Sequence, residues 1–174
     1  GYFMDNPNFS GSICLPGTHS KWVNVKNYHI LNFNTYLTGE LFEILKNNSV
    51  LKHSLLTEEI SKKKLVEGVE IILKNPNNIS NDLFQLRAKD LLKKQSSIDA
   101  NSLLSGYFLG LELLGSKNYW YKKDVVLIGS EFLTTYYELC LQKKVNSIKK
   151  FNSSEMILKG LSYFKNNLNL SKLM

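Results

Sequence analysis

The sequence predicts a mixed α/β fold, and three observations lead to this prediction. Near the N-terminus, short segments alternate between apolar and polar residues, which is typical of antiparallel strands. From residue 38 to residue 116 the apolar residues instead recur at helical spacing. After residue 123, a continuous apolar run that suits a buried parallel strand precedes another helical pattern. We therefore expect antiparallel strands, a helical block, and then strands that alternate with helices.

The first three strands are predicted between residues 12 and 36. Residues 12–15 form an apolar run that ends at Pro16 and Gly17, and residues 21–25 alternate with a period of two. This pair is expected to form a hairpin around a polar turn. Residues 28–36 alternate again after a short turn, so we expect a three-stranded antiparallel meander.

The helical block is predicted to contain four helices. Thr38 and Ser61 are the expected N-caps of the first two, because their hydroxyl groups can accept from free backbone N–H groups. The third helix is expected to open at residue 81 or 82, and the fourth to span residues 99–114.

Strands and helices are expected to alternate in the last part of the chain. Residues 125–128 form the buried strand, and Gly129 and Ser130 end it and begin a helix. A weaker strand covers residues 145–151, and the last helix opens at Ser153. A three-stranded meander followed by this alternation is the element order of a ribonuclease H-like, actin-type lobe, with parallel strands and a helical insertion.

Length and composition exclude several classes of protein. The 174 residues suit one domain, 43% of them are hydrophobic, and no apolar run approaches the roughly 20 residues of a membrane span. The formal charge is +7, but every basic residue except Arg87 is lysine and asparagine is also frequent, so a general compositional bias explains the charge. We expect no nucleic-acid partner. Cys14 and Cys140 lie in apolar runs and are expected to be buried thiols.

The turn of the first hairpin is the first candidate for chemistry. It contains Gly17, Thr18, His19 and Ser20, and exposed backbone N–H groups and hydroxyls of this kind can surround phosphate oxygens. The same residues are favoured in an ordinary hairpin turn, so both interpretations stay open. The sequence of a Walker loop is missing.

Arg87 is the second candidate, because it is the single arginine of the chain. A planar, bidentate donor suits a carboxylate, either on a ligand or within the protein. An internal ion pair with Asp90 or Asp82 is the alternative. The three histidines show no metal-ligand spacing, so no metal site is predicted.

Five segments resemble, in order, the motifs of the 2-dehydro-3-deoxygalactonokinase family, and the match runs from about Asn6 to Leu161. The segments are LPGTHSKWV (15–23), TGELF (38–42), LFQLRA (83–88), LSGYFLGLE (104–112) and VLIGS (126–130).

The resemblance implies a kinase of the actin-like ATPase superfamily. Such an enzyme transfers the terminal phosphoryl group of ATP, with Mg²⁺, to the 6-hydroxyl of 2-dehydro-3-deoxy-D-galactonate. The resemblance implies that the β- and γ-phosphates lie at a hairpin of Gly17, Thr18, His19 and Ser20. It implies an adenosine-binding turn at Gly129 and Ser130.

The resemblance also implies residues on the sugar-acid side of the site. These are Thr38, Gly39, Glu40, Arg87 and Ser105, with Arg87 expected to pair with the substrate carboxylate.

The family's first phosphate loop and its catalytic base are expected in an N-terminal lobe that precedes this region. We therefore expect residues 1–174 to form the C-terminal lobe alone, inactive without its partner lobe, and to lie in the cytoplasm. Its expected parts are residues 12–36, 38–116 and 123–165. No catalytic residue is assigned in this chain, and a homo-oligomer stays open. The alternative is a non-catalytic module of the same superfamily that binds nucleotide or sugar.

Overall fold

A computed structural model describes residues 1–167 of the chain. Within them, five strands form one sheet: β1 (Gly11–Leu15), β2 (Ser20–Lys26), β3 (His29–Tyr36), β4 (Asp124–Gly129) and β5 (Ser147–Asn152). The helices are α1 (Tyr2–Asp5), α2 (Thr38–Asn48), α3 (Lys62–Lys74), α4 (Ile79–Leu91), α5 (Ser97–Gly115), α6 (Lys117–Trp120), α7 (Glu131–Leu141) and α8 (Ser153–Asn167). Two 3-10 turns cover Val50–His53 and Pro76–Asn78.

The sheet has the strand order β3-β2-β1-β4-β5. β1, β2 and β3 pair in antiparallel orientation, whereas β4 lies parallel to both β1 and β5. Asn27 and Tyr28 both have positive φ, at 47° and 70°, and form the two-residue turn between β2 and β3. Such a turn matches the right-handed twist of the strands, so β3 begins at His29 and not at Tyr28 as the alternation predicted.

The two faces of the sheet pack against different helices. On one face, Cys14, Trp22 and Leu127 are fully buried in a core cluster that includes residues of α3, α5 and α7. On the other face, Ile13 and Val126 pack with residues of α1 and α8. The period of two in the strands therefore sends alternate side chains into two separate clusters.

The helices α3 and α5 meet at glycines. A Cβ atom at Gly106 would lie 2.3 Å from the carbonyl oxygen of Leu65, and one at Gly68 would lie 2.8 Å from the carbonyl oxygen of Leu103. Any side chain at these positions would push the two backbones apart. α5 is buried on nearly all sides, so it forms the centre of the helical block.

Several helix starts differ from the sequence prediction. Thr38 is the first residue of α2 and not its N-cap, because the helix begins one residue earlier than expected and Leu37 takes the N-cap position; the Thr38 hydroxyl donates to the buried carboxylate of Glu112. α4 begins at Ile79, two residues early, because a 3-10 turn leads directly into it. Ser61 caps α3 as predicted, and its side chain accepts from the backbone N–H of Lys64. α1 and α6 have four residues each, too few to show a helical period.

Both cysteines are free thiols in the core, as the sequence predicted: Cys14 is fully buried and Cys140 is 5% exposed. No helix within residues 1–167 combines the length and the apolar character that crossing a bilayer requires.

Candidate functional site

A pocket of about 400 Å³ opens beside the turn between β1 and β2. Five parts of the chain form it: the turn itself, the start of α2, the segment before α3 with its first turn, the middle of α5, and α7. Its lining residues are Gly17, Thr18, Thr38, Gly39, Phe42, Glu43, Glu58, Ile60, Leu65, Asn101, Ser105, Phe108, Leu109, Phe132, Leu133, Tyr136 and Tyr137.

The hairpin turn presents Gly17 and Thr18 to this pocket. A Cβ atom at Gly17 would meet no atom within 4 Å, so the glycine borders open space. The hydroxyl of Ser20 donates to the carbonyl oxygen of Gly17 at 3.3 Å, and the Ser20 residue is fully buried. Ser20 therefore holds the shape of the turn, while Gly17 and Thr18 are the turn residues that line the pocket.

The start of α2 packs directly against this turn. A Cβ atom at Gly39 would lie only 2.7 Å from the Cα atom of Thr18, so this close approach requires glycine. The backbone N–H of Glu40 donates to the carbonyl oxygen of Thr18 at 3.1 Å. The Glu40 carboxylate also contacts the Nε2 atom of His19. The first turn of α2 therefore supports the hairpin from the side.

The start of α7 forms the aromatic wall of the pocket. Ser130 caps this helix by accepting from the N–H of Leu133, and a Cβ atom at Gly129 would contact Pro16 at 3.4 Å. Neither Gly129 nor Ser130 lines the pocket, whereas Phe132 and Tyr136, one turn apart, do. Their rings pack edge to face with centroids 4.5 Å apart, and Phe132 is 54% exposed.

A buried carboxylate lies behind the pocket and the hairpin. Glu112 of α5 is 2% exposed and accepts from the Trp22 indole Nε1–H at 2.8 Å. It also accepts from the Tyr137 hydroxyl at 2.8 Å and from the hydroxyl of Thr38. Burial raises the pKa of Glu112 above its ordinary value, and these donors oppose the rise by stabilising the ionised form.

The charges and polarity of the pocket restrict its ligands. The charged residues that line it are two glutamates, Glu43 and Glu58, and most other lining residues are apolar or aromatic. Lysine and arginine are absent from the lining in the part of the chain that the structure describes. A flat ring fits such a pocket, because aromatic and apolar walls bury its faces. An anionic group, whether carboxylate or phosphate, would meet two like charges there.

The structure brings together five of the residues that the sequence predicted for the site. The five that line the pocket are Gly17, Thr18, Thr38, Gly39 and Ser105. His19, Ser20 and Glu40 lie next to these residues but support the turn.

Arg87 lies outside this pocket. Its Nη1 atom donates to Asp90 Oδ2 at 2.7 Å and to the Ser54 hydroxyl at 3.3 Å. This geometry matches the internal ion pair that the sequence offers as the alternative. A role of Arg87 toward a substrate carboxylate stays a prediction.

Sequence reasoning missed the aromatic wall and the buried carboxylate. Phe132 and Tyr136 follow a helical pattern that is equally typical of core residues. Glu112 gives one detectable signal, since it is a lone acidic residue in the apolar run of residues 103–114. Within residues 1–167 no group of three or more His, Cys, Asp or Glu side chains is arranged to hold a metal ion.

Comparisons with known proteins agree on one family. The profile of the 2-keto-3-deoxy-galactonokinase family matches residues 1–164. A protein of Rhizobium meliloti (strain 1021) named "Probable 2-dehydro-3-deoxygalactonokinase" is 33% identical over 154 residues, which are 86% of this chain and 50% of that protein. The 2-dehydro-3-deoxygalactonokinase of Escherichia coli (strain K12) is 32% identical over 129 residues, which are 74% of this chain and 44% of that protein.

A solved structure shows the same likeness. The crystal structure of a candidate 2-dehydro-3-deoxygalactonokinase from Sinorhizobium meliloti superposes with a TM-score of 0.80 at 32% identity, over 89% of this chain and 54% of that chain. The chain spans about half the length of the curated relatives it matches. Because the family profile covers nearly the whole sequence, the chain belongs to the 2-keto-3-deoxy-galactonokinase family.

Proposed function

We propose that this chain binds ATP in the pocket beside the β1–β2 turn and serves as the nucleotide-binding lobe of a sugar-acid kinase. The substrate of the kinase would be 2-dehydro-3-deoxy-D-galactonate, phosphorylated at its 6-hydroxyl. Family membership supports this activity, and the names of the relatives support the substrate. One structural observation carries the proposal: Gly17 and Thr18 line the same pocket as the packed aromatic rings of Phe132 and Tyr136.

The pocket suits the nucleotide better than the sugar acid. The purine ring can lie against Phe132 and Tyr136, and the phosphates can reach the turn at Thr18. The sugar acid has no flat ring to pack against these aromatic side chains, whereas the two lining glutamates would repel its carboxylate and the nucleotide phosphates alike. We therefore propose that Thr38, Gly39 and Ser105 act on the nucleotide side, although the sequence-based expectation placed them at the sugar acid.

Phosphoryl transfer requires the protein mainly to position the two substrates and to stabilise the phosphate charge. In the transfer, the 6-hydroxyl oxygen forms a bond to the γ-phosphorus while the bond to the bridging β–γ oxygen breaks, and ADP leaves. Backbone N–H groups and the Thr18 hydroxyl would stabilise the charge on the phosphate oxygens. The proton of the 6-hydroxyl would pass to a base in the partner lobe, which we propose lies outside this chain.

Mg²⁺ would enter with the nucleotide. This ion keeps several of its waters and usually binds through substrate phosphates, so we propose that it arrives as a complex with ATP. When bound, it neutralises part of the phosphate charge during transfer.

We also propose a fold family and a cellular location for the chain. A meander of β1, β2 and β3 extended by the parallel strands β4 and β5 supports assignment as a ribonuclease H-like, actin-type lobe. The metabolic substrate supports a place in the cytoplasm.

Replacing Thr18 by valine tests the phosphate role of the turn. The change keeps the side-chain shape of this pocket-lining residue but removes its hydroxyl. A hydrogen bond to a charged phosphate contributes about 1.5–3 kcal/mol, so ATP affinity should fall about tenfold or more. Isothermal titration calorimetry of the chain with Mg-ATP measures this affinity.

Thr35→Val is the matched control, because Thr35 lies exposed on β3 and does not line the pocket. Its ATP affinity should equal that of the wild type. Unchanged affinity in Thr18→Val would show that the hairpin is only a turn. A wild-type chain that binds no ATP would contradict the proposed function.

A further inference from the structure

We infer, on the basis of the proposed function, that Glu112 is a positioning residue that fixes the phosphate-binding turn relative to the nucleotide pocket. Its carboxylate joins three elements that meet at the site and are distant in sequence. β2 contributes Trp22, α2 contributes Thr38 and α7 contributes Tyr137, and each donates to the same carboxylate. Glu112 itself lies on α5, the most buried helix of the block.

One connection runs from Glu112 to the turn through Tyr137. The Tyr137 hydroxyl lies 2.8–2.9 Å from both carboxylate oxygens and 3.1 Å from the Ser20 hydroxyl. The Ser20 hydroxyl donates to the carbonyl oxygen of Gly17 at 3.3 Å. Three successive contacts therefore connect the carboxylate to the accessible glycine of the turn.

A second connection runs through the start of α2. The hydroxyl of Thr38 donates to Glu112, and the next residue, Gly39, is the one that packs against the Cα atom of Thr18. Anchoring Thr38 therefore sets how closely α2 approaches the turn. Thr38 and Tyr137 also line the pocket, so both connections begin at residues that a bound nucleotide would touch.

The chemistry of the three donors explains why an acceptor is needed at this position. The indole N–H of Trp22 is donor-only, and the Trp22 side chain is fully buried, so it must have an acceptor inside the protein. A carboxylate offers two oxygens, which can serve the indole and both hydroxyls at once. Leucine would leave the indole unpaired and release Thr38 and Tyr137 from each other.

Glutamine is the informative conservative variant. Its amide oxygen can accept from Trp22, and its NH₂ group can donate to the hydroxyls of Thr38 and Tyr137, both of which can also accept. Because Glu112 does not line the pocket, it acts on the ligand through these neighbours. Hydrogen-bond geometry, and not charge, is therefore the property that the inference assigns to this position.

The experiment compares binding of ATP and of adenosine, which lacks the phosphates. The wild-type chain, Glu112→Leu and Glu112→Gln are titrated by calorimetry with each ligand. We expect Glu112→Leu to lose about tenfold in affinity for Mg-ATP. This is the effect expected when the displaced turn loses one charge-assisted hydrogen bond to a phosphate oxygen. Its affinity for adenosine should stay within about twofold, because the aromatic wall is untouched. Glu112→Gln should bind both ligands like the wild type.

Hydrogen exchange adds a readout that needs no ligand. Backbone amides of residues 17–20 should exchange faster in Glu112→Leu than in the wild type, and at the wild-type rate in Glu112→Gln. Ser102→Ala is the matched control, since Ser102 is a buried hydroxyl on the same helix that accepts from Ser61 N–H, away from the turn. It should leave both the exchange at the turn and the ATP-to-adenosine ratio unchanged.

Several outcomes would overturn the positioning role. One is an ATP affinity of Glu112→Leu that equals that of the wild type. Another is that Glu112→Leu and Ser102→Ala each lose as much affinity for adenosine as for ATP, which would indicate general destabilisation. If Glu112→Leu does not fold, Tyr137→Phe removes only the hydroxyl between Glu112 and Ser20, and it must then show the selective loss of ATP affinity. A wild-type chain that binds neither ligand overturns the proposed function itself, and the inference with it.

Discussion

At the scale of single residues, Glu112 shows how a polar group can be tolerated in a core. A buried carboxylate is costly unless donors surround it, and here the indole and two hydroxyls do so. These donors are neutral, so desolvation still dominates and the pKa of Glu112 is raised above its ordinary value of 4.5. The charged form therefore weakens the fold relative to the protonated form.

Replacing Glu112 by glutamine should change how stability depends on pH. Between pH 4.5 and the raised pKa, folded wild-type protein keeps a proton that the unfolded chain releases, so its free energy of unfolding falls as the pH rises through this range. Glutamine does not titrate. The stability of Glu112→Gln minus that of the wild type should therefore increase with pH above 4.5 and then level off.

Urea unfolding of both proteins between pH 4 and pH 8 measures this difference directly. Contributions of all other titrating groups cancel when the two proteins are subtracted. A difference that stays constant with pH would show that the Glu112 carboxyl titrates alike in the folded and unfolded chain.

The sequence identifies the residues that line the site better than the buried residues behind it. Gly17 and Thr18 are recognisable because a turn rich in small and hydroxyl residues suits a phosphate. Arg87 is equally conspicuous, yet the structure pairs it with Asp90, one of the two partners that its own helix offers. Sequence spacing identifies such pairs but does not show whether a pocket lies beside them. Ser20 lies in the expected turn, but it is buried there and its hydroxyl contacts that of Tyr137 in α7, 117 residues away.

At the scale of elements, the contact between α3 and α5 depends on glycine. A Cβ atom at Gly106 would lie 2.3 Å from a backbone oxygen and 2.9 Å from the Cα atom of Gly68, and neither atom can move like the end of a flexible side chain. Alanine favours helix over glycine by about 1 kcal/mol. Overpacking a tight interior costs about 1–3 kcal/mol, so the steric clash should outweigh the helix propensity.

We expect Gly106→Ala to lower the free energy of unfolding by about 1–3 kcal/mol, measured by urea denaturation. Gly17→Ala is the control, because an added methyl group there meets no atom within 4 Å, and its stability should stay near that of the wild type. A gain of about 1 kcal/mol in Gly106→Ala would show that helix propensity wins and that the two helices can separate without cost.

Most elements were predictable because each has a clear period of its own. Alternation identified β1, β2 and β3, and helical spacing identified α3 and α5. The ends were less predictable, since they depend on tertiary partners. Leu37 takes the N-cap position of α2, and the hydroxyl of Thr38 instead donates to Glu112, 74 residues away.

At the scale of the whole molecule, the site is assembled from segments that are far apart in sequence. The segments 17–18, 38–43, 58–65, 101–109 and 132–137 each contribute lining residues to one pocket. Element order predicts that the turn after β1 and the start of α7 lie at the same edge of the sheet, because β1 and β4 are parallel neighbours. It does not predict which helix faces close the pocket, since that depends on the packing of α2 and α5 beside them.

The two core thiols can report how often the folded protein opens. Burial raises the pKa of Cys14 well above its ordinary value and that of Cys140 to about 12, so almost no reactive thiolate exists in the folded state at pH 8. A disulfide reagent should therefore react only with molecules that have opened, and the labelling rate should report how often this happens.

Because one thiol lies in the central strand and the other in α7, their relative labelling rates show whether the sheet and the helix layer open together. Equal rates for Cys14 and Cys140, both increased in Gly106→Ala, are the expected result of cooperative opening. Much faster labelling of Cys140 would instead reveal that α7, and with it the aromatic wall of the pocket beside the β1–β2 turn, detaches from a sheet that stays closed.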